Sequence, residues 1–382
     1  MRKALLGTTA LVAAGVIGAP AAEAAFDVQV HGNYTAAYAF VDEDDDFGEA
    51  GYKRQNQTLN QDAEVHFRFM QTFDNGLTAD GRVELEGATH NEREAGPVSP
   101  VNSRTGGTDQ IDEKWGYVKG GFGELRFGDE DDARKLLAVY APYATIIFSV
   151  NSPYWTFNNP APGQAATTNT TAPFLENDSA KIIYFTPSFG GFQLAASYTP
   201  DSTQDRAQGG TGGTDEAGQF SNVLSAAGQY NGKFGDVTVQ GSAGVTKGYS
   251  EVRTLDDPII WEAGLVLGFG AFRIGSTVGM GDDLAPGSTW NAAGATEALV
   301  YEIGGTYTMG ATTVGLAWSH GEYEQTDGEE DANDHIQLGL GHKLGEGVEV
   351  GAFVGLFEYD DEGAADSDNS GWQTGLGINM FF

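Results

Sequence analysis

Acidic side chains dominate the chemistry open to this chain. A row of four, Asp129, Glu130, Asp131 and Asp132, opens a segment that runs to Asp178, and other clusters stand at Asp42 to Asp46, Glu329 to Asp334 and Asp360 to Asp368. Carboxylate clusters suit hard cations such as calcium, which take oxygen ligands. Neither candidate calcium loop is complete. Asp42-x-Asp44-x-Asp46 has Phe47 and Lys53 where the sharp-turn Gly and the distal Glu would stand, and Asp366-x-Asp368-x-Ser370-Gly371 has Gly377 at the Glu position. Loosely bound divalent cations such as Ca, bridging acidic loops to anionic lipid head groups, are the metal chemistry left open, beside plainly solvated loops. No cofactor is expected. The six histidines, His31, His66, His90, His320, His335 and His342, show no metal-ligand spacing. Gly209 to Thr214 is glycine-rich but has no Lys and opens no helix, so it is no phosphate loop. Paired carboxylates abound without one pair set apart as acid and base, and no Gly-x-Ser-x-Gly elbow occurs. An enzyme is not expected.

The elements that must carry these charges are strands. From Phe26 to Phe40 the sequence alternates: Phe26, Val28, Val30, Tyr34, Tyr38 and Phe40 share one face, and Asp27, Gln29, His31, Asn33 and Thr35 the other. Such length fits a tilted strand of a membrane barrel better than a globular strand. Next, Val65, Phe67, Phe69 and Phe73 point out while Asp62, Glu64, His66, Arg68 and Thr72 point in. The turn Asp74-Asn75-Gly76 has hairpin chemistry. Beyond it Leu77, Ala79, Val83 and Leu85 face out, with Thr78, Asp80, Arg82, Glu84 and Glu86 facing in. A polar loop from Asn91 to Asp109 leads to Lys114-Trp115-Gly116-Tyr117-Val118-Lys119 and, after a glycine turn, to Glu124-Leu125-Arg126-Phe127-Gly128. Later strands are predicted at Lys181 to Pro187, from Phe192, near 221–232, 236–249, 297–309, 311–324, 335–344 and 347–359, and over two runs between Ile259 and Met280. The strand at 347–359 is ambiguous because both faces are apolar in places. The last, Gly371 to Phe382, turns Trp372, Thr374, Leu376, Ile378, Met380 and Phe382 outward.

The segment 129–178 breaks the rhythm. After its acids come a helix-like run, Ala133 to Ala138, then Pro142, Pro153, Pro160, Pro162 and Pro173 with Tyr143, Tyr154, Trp155 and Phe157 between them. A connection of roughly fifty residues is usually functional or disordered. Its aromatics and prolines favour an ordered loop, expected to fold into a barrel mouth and narrow a water-filled pore.

Bulk properties agree. Met1-Arg2-Lys3, the apolar run Ala4 to Ile17 and Ala22-Glu23-Ala24 predict a secretory signal peptide over residues 1–24, with 25–382 as the barrel. Cleavage leaves a chain one charge more negative than the formal −34 of the whole. No later stretch has the ~20 apolar residues of a spanning helix, so a place in the membrane demands a closed barrel. There is no cysteine, so an exported chain must hold together without disulfides. The acidity argues against nucleic acid and against anionic membrane surfaces as partners. The predicted fold class is all-β: a transmembrane antiparallel up-and-down β-barrel of about sixteen strands, with long loops alternating with short turns. A soluble sandwich would bury the apolar faces; the even strand count, the long strands and the polar inner faces speak against it.

Three stretches resemble the general porins of Gram-negative outer membranes. Gly120 to Gly128 is similar to the hairpin before the porin constriction loop, Tyr184-Phe185-Thr186-Pro187-Ser188-Phe189-Gly190-Gly191-Phe192 to the hairpin after it, and Phe382 to the terminal assembly signature. The resemblance implies a sixteen-stranded homotrimer with its third loop folded inward. It also implies a transverse field at the constriction, with Arg68, Arg82, Arg126 and Lys114 on the wall facing Asp129, Glu130, Asp131 and Asp132 on the loop. The three inward arginines are expected on three successive strands. Many relatives place an Arg after the glycine that ends this strand; here Asp129 follows Gly128.

The expected function is passive diffusion of ions and small hydrophilic solutes across the outer membrane, with weak cation preference because charged walls focus their field in a narrow pore. Expected partners are outer-membrane lipids and lipopolysaccharide. A sugar- or anion-selective channel on the same scaffold, a barrel-anchored enzyme and a surface adhesin are the alternatives.

Overall fold

The computed structural model describes residues 26–44, 56–87, 111–145, 171, 173, 175–176, 178–203, 215, 218–286, 288, 290, 295–326, 328–360, 362 and 368–382. The expected signal peptide, the loop from Asn91 to Asp109, Asp45, Asp46, Asp366, the run Gly209 to Thr214, and Pro153, Tyr154, Trp155, Phe157, Pro160 and Pro162 lie outside the described residues.

The strands are β1 (Asp27–Glu43), β2 (Gln57–Thr72), β3 (Thr78–Gly87), β4 (Ile111–Gly120), β5 (Gly123–Asp129), β6 (Ala180–Phe185), β7 (Phe192–Asp201) and β8 (Phe220–Phe234). They continue as β9 (Val237–Ser250), β10 (Ile259–Phe269), β11 (Phe272–Asp282), β12 (Ala295–Met309), β13 (Thr312–Gln325), β14 (Glu330–Gly345), β15 (Val348–Asp360) and β16 (Asn369–Phe381). A short helix, α1 (Ala133–Leu136), follows β5. Each strand pairs antiparallel with its neighbours in sequence, and β1 pairs with β16 to close the barrel. Closure leaves no sheet edge, the condition for strands in lipid.

The period-two pattern decides the faces. Val28 and Leu376 are each 63% exposed on the outside, where lipid rather than water meets them, while Thr35, Asn379 and Gln373 are buried within. Phe382 extends the seam: its N–H and carbonyl exchange hydrogen bonds with Gly32 at 3.1 and 3.0 Å. Its ring occupies the space a Gly32 side chain would need. Tight turns close alternate hairpins. Gly235, Gly270 and Gly310 begin the β8–β9, β10–β11 and β12–β13 turns at φ near 60° (60°, 62° and 60°), a conformation cheap only for glycine.

Two expectations change. The acids from Glu330 to Asp334 belong to β14 rather than to a long loop, and only residues 326–329 join β13 to β14. Alternation continues through these residues, with Asp331 and Asn333 buried and turned inward, so the ladder extends past the point where charge suggested a loop. The ambiguous β15 resolves: Phe353, Phe357 and Tyr359 face inward against Ala37, Ala39 and Val41 of β1, and Val354 and Leu356 face out. Small residues on β1 make room for large ones on β15 inside a partly filled barrel. A second inner cluster packs Leu175, Leu284 and Trp290 against Phe220, Val223, Ile260 and Val300.

Candidate pore constriction

The segment after β5 lies inside the barrel. Asp132 caps α1, its carboxylate accepting from the Lys135 N–H at 2.8 Å. Ala133 and Leu137 pack on Ile183, Phe185 and Ala195 of the inner wall. A chain lying across a wall has no ladder of its own, so its N–H groups need other partners. Small hydroxyls supply them. Ala133 N–H donates to Ser197 Oγ (3.1 Å), Arg134 N–H to Ser225 Oγ (3.0 Å), Val139 N–H to Ser242 Oγ (2.8 Å) and Ala141 N–H to Thr277 Oγ1 (2.8 Å). The Gln229 amide donates to the Leu137 carbonyl at 3.0 Å, and Thr145 Oγ1 donates to Glu349 at 2.6 Å. Residues 133–145 thus cross the wall from β7 round to β15.

Arg134 pins this arrangement and is 1% exposed. Its guanidinium pairs with Glu262 and the Pro173 carbonyl, donates to Thr246 Oγ1 at 3.1 Å and lies 3.8 Å from Asp132. Burial opposes its charge, but Asp132 and Glu262 more than offset that and hold its pKa above the ordinary value. Burial likewise pushes Asp132 up, yet Arg134, the Thr246 hydroxyl and the Lys135 N–H bring it below the usual carboxylate range. The far end of the segment is fastened by Lys181, whose Nζ meets Glu176 at 2.9 Å and the Ser179 carbonyl at 2.7 Å.

The inner wall of β1 to β5 carries the remaining charge. Arg68 pairs with Asp80 at 2.5 Å, and Tyr117 donates to the same carboxylate at 3.0 Å. Arg82 pairs with Glu84 and lies 2.8 Å from His66 Nδ1; His66 Nε2 lies 2.7 Å from Glu64, which also accepts from Asn33 at 2.7 Å. Arg126 pairs with Glu124 at 2.8 Å and with Glu130, and its guanidinium sits 4.3 Å from the Trp115 ring. Burial, then the Glu113 charge, raises Glu130 to about 7 against the pull of Arg126. Burial, then Asp131 and Asp112, raises Asp178 to about 8.

The expected opposed rows are not what forms. Arg68, Arg82 and Arg126 do face inward, but on β2, β3 and β5, with Trp115 and Tyr117 of β4 between the last two. Their partners Asp80, Glu84 and Glu124 stand on the same wall, because inward positions of these strands alternate acid and base. Of the four loop candidates only Glu130 reaches an arginine of the wall. Asp131 pairs with Lys135 within the loop at 2.6 Å, and Asp132 serves α1 and Arg134. Lys114 and Asp129 are a correction. They are cross-strand partners that pair with each other and share the outward parity of Val118 and Phe127, opposite to Arg126. Asp129 also ends β5 instead of starting the loop.

Arg134 and Glu262 were not legible as a site. The faint signal was a lone inward carboxylate on β10, whose other neighbours in the run from Ile259 to Phe269 are apolar or glycine. Linear spacing also concealed three cation-sized carboxylate groups: Glu64, His66 and Glu84; Asp62, Glu64 and Glu86; and Glu113, Glu130 and Asp131. Their ligand atoms lie within 4.8 Å of one another. In the first, Arg82 and Asn33 already donate to the same side chains, so it serves as an ion-pair network.

A family model described as Gram-negative porin matches residues 7–362. Among solved structures the chain is similar to the trimer form of OmpT of Vibrio cholerae, with 14% identity, 94% of this chain and 100% of that chain covered, and a TM-score of 0.57. It is similar to the anion-selective porin from Comamonas acidovorans at 17% identity, with coverage of 94% and 100% and a TM-score of 0.57. It is also similar to the outer membrane channel DcaP of Acinetobacter baumannii at 13% identity, with coverage of 94% and 99% and a TM-score of 0.59. No curated protein sequence matches. The structural likeness is one of fold, whereas the family match spans nearly the whole chain. Together with a closed sixteen-stranded barrel that carries its third loop inside, this places the chain in the Gram-negative porin family.

Proposed function

We propose that this outer-membrane channel passes ions and small hydrophilic solutes by passive diffusion, weakly favouring cations, along the inner wall of β1 to β5. One observation carries the sign. In the sector that residues 133–145 do not cross, Asp62, Glu64, Asp80, Glu84, Glu86, Glu113 and Glu124, joined by Glu130 and Asp131, outnumber Arg68, Arg82, Lys119 and Arg126. Carboxylates in excess at a narrowing between low-dielectric walls raise the local cation concentration. The Comamonas porin is anion-selective on a similar fold, so wall charge rather than architecture carries the sign. Reversal potentials across planar bilayers in a salt gradient test this; anion preference at neutral pH overturns it. Liposome swelling with graded sugars separates a general pore, which discriminates by size alone, from a solute-selective one. A surface adhesin would give little conductance. The family and fold point to a channel without enzymatic chemistry.

The assembly proposed is a homotrimer in lipid and lipopolysaccharide, supported by the trimer form of OmpT; the mass of the detergent-solubilised complex tests it. Loosely held calcium at the acidic outer loops is tested by thermal melting with and without chelator. An unchanged melting temperature discards it.

A further inference from the structure

The wall beneath the inward segment is lined with glycine. Gly264 of β10, Gly275 of β11, Gly304 of β12, Gly315 of β13, Gly341 of β14 and Gly351 of β15 all face inward. Some are direct cross-strand partners: Gly275 opposes Gly304, and Gly341 opposes Gly351. Gly315 opposes a further inward glycine, Gly339. The loop follows this belt residue by residue. A methyl built on Gly264 would fall 1.7 Å from the Val139 carbonyl oxygen, on Gly304 2.4 Å from that of Pro142, on Gly341 2.5 Å from that of Ala144, and on Gly351 2.7 Å from Thr145 Oγ1. Residues 139 to 145 span roughly 20 Å if extended, comparable to the ~24 Å across six strands at the ordinary spacing and shorter still on the inside of a curved wall. Glycine in a strand interior costs stability and often marks close approach of another backbone. Here the loop backbone makes that approach on β10, β12 and β14, and loop side chains reach the glycines of β11, β13 and β15 between and beside them.

We propose that this glycine belt is the seat that fixes how far the third loop stands out from the wall, and so sets the width of the pore on the opposite side. The inference rests on the channel function proposed above. Its residues are positioning residues: they touch the loop and no solute. A carbon normally approaches a carbonyl oxygen no closer than about 3.3 Å. A side chain at Gly264 therefore lifts the loop by about 1.5 Å into the lumen, while the hydroxyl anchors of β7 to β9 keep it inside the barrel.

Single-channel conductance of Gly264→Ala, Gly264→Val and Gly304→Ala tests this, with Gly305→Ala as control. Gly305 faces outward on β12, and its nearest neighbour to a built methyl is the Arg273 carbonyl oxygen at 3.6 Å. Expected is a loss of conductance on the order of tens of per cent for the inner substitutions, larger for Val than for Ala, with none for Gly305→Ala. Unchanged or increased conductance in the inner variants overturns the proposal.

A second variant covers failure to fold. The methyl built on Gly339 lies 3.2 Å from Ala144 Cβ, so Ala144→Cys with Gly339→Cys approaches disulfide geometry in a chain that has no other cysteine. The seat predicts quantitative cross-linking on oxidation. Failure to cross-link overturns it. If the wild-type protein conducts nothing, the channel function fails instead, and cross-linking yield still decides the seat.

Discussion

Replacing Arg134 by Ala should release the loop and leave the barrel standing. The guanidinium pairs with Glu262 and lies 3.8 Å from Asp132, in a seam where both carboxylates are buried. Truncating one partner of a buried ion pair costs about 3–5 kcal/mol, because the other charge is left without compensation. The strand ladders are untouched by the change, so the loss falls on attachment of residues 133–145 to the wall. At 1.4 kcal/mol per factor of ten, local opening becomes more frequent by roughly 10² to 10³ or more. Hydrogen exchange reads this directly at the Val139 and Ala141 amides, which donate to Ser242 and Thr277. Their protection should fall by that factor while the β12–β13 ladder keeps its own, and bilayer traces should become noisy. Removing Glu262 as well should restore part of the loss, since a double-mutant cycle reports the coupling between charges in contact. Undiminished amide protection in Arg134→Ala, or strictly additive losses in the cycle, would refute the anchoring role.

Other outcomes follow from the same geometry. Glu113→Gln, on the inner face beside Trp115, should move the reversal potential toward anions; no shift would remove Glu113 from the selectivity-determining wall. Lys114→Ala should leave selectivity where it was, since that side chain has outward parity; a clear change would restore it to the pore. Cation preference should shrink between pH 8 and pH 5 as Asp178, raised to about 8, and Glu130, raised to about 7, take up protons. Because both carboxyls are raised in the folded state, they favour that state most at low pH, below their unfolded pKa values, and lose this contribution as pH rises toward 7–8. Once allowance is made for the intrinsic pH dependence of exchange, amides of the loop should therefore be better protected at pH 5 than at pH 9. The opposite order would refute the burial of these carboxyls.

The sequence by itself determined the barrel. A strand's side chains alternate, lipid on one side and water on the other demand opposite chemistry, and both conditions act on residues two apart. Runs such as Phe26 to Phe40 and Gly371 to Phe382 therefore declare their faces without help from the rest of the chain. The turn Asp74-Asn75-Gly76, with Gly76 at φ 83°, declares itself for the same local reason. The inward direction of Arg68, Arg82 and Arg126 was legible too, and so was the segment that had to fold inside.

Only the tertiary structure decided what each charge meets. Arg134 and Glu262 are separated by 128 residues, and no local pattern ties them. Lys114 and Asp129 stand near the expected narrowing in sequence, but cross-strand register sends them to the other side of the wall. The glycine belt exists only because tilt and register bring Gly275 opposite Gly304, and Gly341 opposite Gly351. Along each strand those residues look like the scattered glycines of any β protein. Closing the cylinder turns them into a continuous groove, because closure fixes which inward positions become neighbours.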